Sequence, residues 1–302
     1  MDLAILFERV VALLPFIAVF SLMFSMGMRL VVRDFLYVLR EPKAAILGLT
    51  GQIILLPIVA ALIAIVFRLD PNIAVGLMII AACPGGATSN AFSVLVKGDI
   101  ALSISLTAMS SLLAFLTMPL IINMSLVFFN YGDGDVTLSF AETATQLFFT
   151  TALPVILGMV FRAFLPKITS RVTKPLFYFG FACLFYPMFA FFAKYIDLVD
   201  RSDIFQSTSA ILLNVTMMCI GAGLGAVSGL SRRQSKTLSV EVGIQNFVLV
   251  LVVIGVFLKD LTLLVPSMIY LPSMYVAAFT LSFLSKRYMD EDISASEDSE
   301  IE

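Results

Sequence analysis

The 302-residue sequence contains no histidine and no tryptophan. Without histidine, a serine–histidine triad and a histidine-ligated metal site are excluded; without tryptophan, so is an interfacial belt of that residue. Charge is scarce: 13% of residues are charged and 60% hydrophobic, with a mean hydropathy of +1.02. Soluble domains hold roughly 45–50% apolar residues, so the composition is that of a polytopic membrane protein, and no nucleic-acid partner is expected. Three cysteines, Cys83, Cys183 and Cys219, are an odd number in apolar surroundings, which argues against a disulfide framework.

Crossing the hydrocarbon takes about 20 apolar residues. Nine such stretches are present, at 10–28, 44–67, 73–96, 100–128, 140–164, 175–195, 204–227, 238–258 and 261–285. Short connections join them, so residues 1–289 read as one all-α transmembrane domain. The start carries Asp2 and Glu8 in place of a basic region and reads as a retained span instead of a removed signal. From Asp290 the segment "DEDISASEDSEIE" holds seven of the 21 acids, and 290–302 is expected to be a disordered acidic tail.

Orientation follows from the basic residues. Alternate loops hold 14 of the 19, against Arg9, Arg68, Lys194, Arg201 and Lys259 on the opposite side. The positive-inside rule then puts the N-terminus outside and the tail in the cytoplasm of a cell bounded by a plasma or bacterial inner membrane.

Two of the nine stretches are interrupted. The third contains Pro84, Gly85 and Gly86, followed by Ala87, Thr88, Ser89 and Asn90: a missing backbone donor, two poor helix formers, then side-chain oxygens. The eighth reads "LSVEVGIQNFVLVLVV" and places Glu241, Gly243, Gln245 and Asn246 in an otherwise apolar run. Irregular backbone at this depth is tolerated only inside protein or beside a water-filled cavity. The interruptions lie in segments of opposite direction, 156 residues apart at Asn90 and Asn246, as an inverted repeat of spans 1–4 and 6–9 would give. Such paired breaks point to a secondary transporter's binding site, since free carbonyls and side-chain oxygens can replace a small cation's hydration shell.

Glu241 is the single acid expected deep in the membrane. A buried charge there costs roughly 2.5–3.5 kcal/mol or more unless a cation or proton compensates it. Ser103 and Thr107, four apart, share a helical face, and Gln52 offers an amide oxygen. Each also has a structural reading: hydroxyls bond back to the preceding turn, and Gln52 can join two helices. Pro57, Pro119, Pro154, Pro187 and Pro272 read as kinks, and Gly221 to Gly225 as a close helix-packing surface.

Taken together, "CPGGATSN" at 83–90, "EVGIQN" at 241–246, "LMFSMGMRL" and "DFLYVLREPKAAILG" resemble the bile acid:sodium symporter family. The resemblance implies an inverted-repeat fold with panel and core domains, in which two broken helices cross beside two sodium ions, and it marks this chain as a nine-span member. One sodium site would use Ser89, Asn90, Ser103, Thr107 and Glu241. The other would use Gln52, Glu241, the carbonyls of Val242 and Ile244, and Gln245. For substrate, Asn246 matches the family. Ala87, followed by Thr88, stands where some bacterial members have threonine, and Tyr275-Val276 falls where they have His-Asn.

The expected function is sodium-coupled import of an organic anion, bile-acid-like or smaller, by a monomer in the bilayer. It needs no cofactor beyond the coupling ions. The alternatives are a proton-coupled exporter of an anion or arsenite, with Cys83 as a soft ligand, and a non-transporting receptor signalling through its tail. No enzymatic activity is expected: one intramembrane carboxylate without histidine or a second acid has no acid–base partner.

Overall fold

The computed structural model describes residues 16–134, 138–195 and 201–299. Among them the fold is all-helical, and five continuous segments are long and apolar enough to cross a membrane: Pro42–Val66, Ile100–Phe128, Phe140–Phe164, Asp203–Val227 and Leu261–Ser285. A bent pair, α1 (Phe16–Gly27) and α2 (Val32–Arg40), would make a sixth; its two helices meet at 62°. The stretch read as a loop at 29–43 is thus largely helical.

The first continuous segment joins α3 (Pro42–Thr50) to α4 (Leu56–Val66) through a π-helical turn at Gly51–Leu55. Then come α5 (Pro71–Ala82), α6 (Ala87–Leu95) and α7 (Ile100–Phe128). A second π-helical turn, Phe148–Ala152, joins α8 (Phe140–Leu147) to α9 (Leu153–Phe164). Both π turns run up to a proline, Pro57 or Pro154, at the start of the next helix. A proline ring collides with the carbonyl four residues back, and widening that turn relieves the collision. Pro119 and Pro272 instead lie within helices.

The second half contains α10 (Pro166–Tyr195), α11 (Arg201–Ser207), α12 (Ser209–Val227), α13 (Arg232–Gly243), α14 (Phe247–Val252) and α15 (Val265–Ser299). The backbone of the acidic segment thus continues α15 as far as Ser299. Side chains at 184–195, which include Pro187, and beyond Ser285 lie outside the described residues.

Local chemistry fixes the helix starts. Asp99 caps α7 by accepting from Leu102 N–H at 3.1 Å, and Ser231 forms a reciprocal capping box with Gln234 at the head of α13. The main core gathers α4, α5, α7, α12, α14 and α15 around Leu56, Ile79, Met118, Leu213 and Met274. The packing of α12 on α13 is close because glycines line it. A Cβ on Gly221 would stand 2.5 Å from the Leu238 carbonyl oxygen, whereas one on Gly223 would meet nothing within 4 Å. The expected packing surface is therefore Gly221 and Gly225, with Gly223 facing away.

Candidate functional site

The chain leaves helical geometry at Cys83–Gly86, between α5 and α6, and at Ile244–Asn246, between α13 and α14. Cys83 is extended, as the residue before Pro84 should be, and so is Gly86. The two interruptions lie against each other. Gly85 and Gln245 form an isolated antiparallel bridge, and Asn246 N–H donates to the Pro84 carbonyl at 2.9 Å. Backbone groups released by one break are thus partly satisfied by the other, which is what buried polar backbone requires.

Glu241, in the last turn of α13, is wholly buried. Ser103 Oγ donates to its Oε1 at 2.5 Å and Thr107 Oγ1 to its Oε2 at 2.7 Å. The same two hydroxyls stand 2.8 and 3.2 Å from Asn90 Oδ1. Ser89 Oγ lies 3.3 Å from Thr107 Oγ1 and 2.8 Å from the Gly86 carbonyl oxygen. All five residues of the first expected set therefore converge.

A hydroxyl has one proton to donate. Ser103 and Thr107 supply two protons among the carboxylate oxygens and Asn90 Oδ1, while the single proton of Ser89 Oγ is contested between the Gly86 carbonyl and Glu241. The cluster has more acceptors than protons, and no basic side chain pairs with Glu241 among the described residues. A hard cation, or a proton on Glu241, would answer that chemistry. No group of three or more His, Cys, Asp or Glu is assembled among the described residues, so the donor set suits a monovalent ion better than a divalent or transition metal.

The second expected set meets the first at Gly85. Gln52, buried in the first π turn, donates from Nε2 to Gln245 Oε1 at 3.5 Å, and Gln245 Nε2 donates to the Val242 carbonyl at 2.8 Å. Ile244 is buried, its N–H bonded to the Val240 carbonyl. A Cβ on Gly85 would stand 3.0 Å from Glu241 Oε2, 3.3 Å from Gln52 Nε2 and 3.5 Å from Ser89 Oγ. Glycine at this position keeps the space between the two sets open.

Beside the breaks is an apolar cavity of about 240 Å³ whose wall includes Met23, Met26, Gly86, Thr88, Asn246 and Tyr275. Asn246 also caps α14, its Oδ1 accepting from Leu249 N–H at 3.3 Å. Ala87 opens α6, and its side chain lies outside the described residues. Met26 lines a second cavity of about 270 Å³ with Arg29, Asn90 and Ala91.

Sequence reasoning does not single out Asn214 or Tyr270. Asn214 Nδ2 and Tyr270 Oη both donate to the Gly243 carbonyl, at 2.6 and 2.9 Å, and so fix the end of α13. A lone amide in the apolar run "ILLNVTMMC" was the available signal for Asn214; Tyr270 carried none.

Comparison with known proteins identifies the family. Residues 16–202 match the pattern of the Sodium Bile acid symporter family. A "Probable sodium/metabolite cotransporter BASS2, chloroplastic" from Oryza sativa subsp. japonica is 27% identical over 74% of this chain and 52% of its own. The "P3 protein" of Bos taurus is 31% identical over 82% of this chain and 51% of its own. A "Sodium-dependent organic anion transporter" of Bos taurus is 29% identical over 74% and 59%. The chain spans about half the length of the first two relatives. With more than half of its length matched by the family pattern, the chain belongs to the Sodium Bile acid symporter family, a family of transporters and not of enzymes.

Proposed function

We propose that the chain is a sodium-coupled symporter that imports a small organic anion by alternating access. The reading has nine spans arranged as an inverted repeat, the N-terminus outside, the acidic tail free in the cytoplasm, and a monomer as the working unit. The observation that carries it is the excess of oxygen acceptors over protons around Glu241.

One sodium ion is held by Ser89, Asn90, Ser103, Thr107 and Glu241. A second is held by Gln52, Gln245, Glu241 and the carbonyls of Val242 and Ile244. Because Glu241 serves both, the first ion compensates the charge that would otherwise hinder packing of the two breaks. Sodium binding thus stabilises the break geometry on which the substrate surface depends. The anion sits in the cavity at Thr88, Asn246 and Tyr275, against the amino-terminal end of α6. Among the described residues no lysine or arginine lines that cavity, whereas Arg29 lines the neighbouring one beyond Met26, which suits a path that leads the anion inward. The names of the relatives, a sodium/metabolite cotransporter and a sodium-dependent organic anion transporter, favour the same cargo class.

Vesicles holding the full chain test this. Uptake of organic acids should follow an imposed sodium gradient, ignore a proton gradient, and be lost in Glu241→Gln and Gln245→Ala. Proton-driven movement in sodium-free buffer would overturn the reading in favour of Glu241 as a proton carrier. Deleting residues 290–302 should leave accumulation intact; binding without accumulation in the full chain would mark a receptor.

A further inference from the structure

α2 is amphipathic, and its exposed side has two kinds of surface. Val32, Leu36 and Leu39 form an exposed apolar strip, and Arg33 and Arg40, seven residues apart and so close on the helical wheel, stand exposed beside it. The opposite side is tied to α7: Tyr37 Oη donates to Asp99 Oδ2 at 2.7 Å, and Ser105 Oγ to the Asp34 carbonyl at 2.5 Å. Between the two sides opens a cavity of about 220 Å³, lined by Arg33, Asp34, Tyr37, Arg40 and Ala101.

Neither guanidinium has a hydrogen bond or ion pair among the described residues, and the nearby acids are engaged elsewhere. Asp34 Oδ2 accepts from Val31 N–H at 2.7 Å, and Glu41 Oε2 from Gln234 Nε2 at 3.2 Å. Two free forked donors facing one cavity are suited to a phosphate. The adjoining apolar strip gives acyl chains a surface that a soluble phosphate would not use.

We propose that this cavity holds the phosphate of an acidic phospholipid from the leaflet in which α2 lies, with acyl chains along Val32, Leu36 and Leu39. The site is linked to the ion-binding helices. Ser105 sits between Ser103 and Thr107 on α7, and Asp99 N–H donates at 2.8 Å to Thr237 Oγ1, one turn before Glu241 on α13.

The test uses the purified full chain in mixed phosphatidylcholine and phosphatidylglycerol nanodiscs, with retained lipid counted by native mass spectrometry after transfer to detergent. Wild type should retain phosphatidylglycerol preferentially. Arg33→Ala and Arg40→Ala should each lower its affinity about five-fold, as the loss of one surface cation does, and the double variant carrying both should lose the preference. Arg33→Gln alone serves if the double variant does not purify. Arg171→Ala with Lys174→Ala, an equal charge change on exposed positions of α10, should leave retention unchanged. Equal retention by wild type and the α2 variants would overturn the proposal. So would an equal loss in the α10 variant, which would mean diffuse attraction, or displacement of the lipid by inorganic phosphate, which would mean a free-anion site.

Discussion

Glu241 takes both of its short hydrogen bonds from hydroxyls on one helix, so its position depends on α7. Ser103→Ala removes the 2.5 Å donor from a buried carboxylate. In sodium-free buffer it should cost about 1.5–3 kcal/mol, measured as lost thermal stability. Gly85→Ala tests the space between the two proposed ligand sets. Its Cβ would stand 3.0 Å from Glu241 Oε2, so the variant should fold and yet bind sodium about tenfold more weakly, the equivalent of about 1.4 kcal/mol. The polar side chains that converge around Glu241 were legible in the sequence because each is polar in an apolar run. Asn214 and Tyr270 were not, because their common partner is a carbonyl brought to them by tertiary packing.

Among the elements, α12 acts as a splint along α13. Gly221 lets the two backbones approach at Leu238, Ser239 Oγ donates to the Met218 carbonyl at 2.8 Å, and Asn214 holds the Gly243 carbonyl. Two neighbouring substitutions should therefore part ways in thermal unfolding. Gly221→Ala forces the helices apart and should cost about 1–3 kcal/mol. Gly223→Ala meets open space and should be neutral or stabilising by about 0.4–1 kcal/mol. Both interruptions were readable in advance, since Pro84-Gly85-Gly86 forfeits helix propensity and "EVGIQN" puts polar groups in hydrocarbon. Their mutual pairing through Gly85 and Gln245 joins residues 160 apart in the chain, and no local pattern encodes it. The helix at 32–40 was missed for a related reason: its charges mark a membrane boundary, and a boundary can be crossed by a loop or by a helix lying along it.

For the molecule as a whole, pH dependence should report on a peripheral latch. Tyr131 Oη donates to Asp260 Oδ2, and Thr262 donates to Asp260 Oδ1 from its backbone N–H and its hydroxyl. Burial pushes the Asp260 carboxyl up, but these hydrogen bonds outweigh it and hold the group below its ordinary value of 3.8. A depressed carboxyl contributes stability above the unfolded-state value and loses it as pH falls through the folded value. The melting-temperature gap between wild type and Asp260→Asn should accordingly be steady near neutrality and close in acid below about pH 4. The proposed coupling has a charge signature as well: two sodium ions moving with a monovalent anion would carry one net positive charge, so uptake should generate an inward current, and a divalent anion should generate none. The central claim is that sodium itself completes the cluster at Glu241. The most direct measurement is the melting temperature of the purified chain titrated with sodium chloride against choline chloride at constant ionic strength. The account predicts a sodium-specific rise, about 2.7 kcal/mol per site at a hundredfold excess over Kd, that Glu241→Gln abolishes. Identical curves in sodium and choline, or an undiminished sodium response in Glu241→Gln, would contradict it.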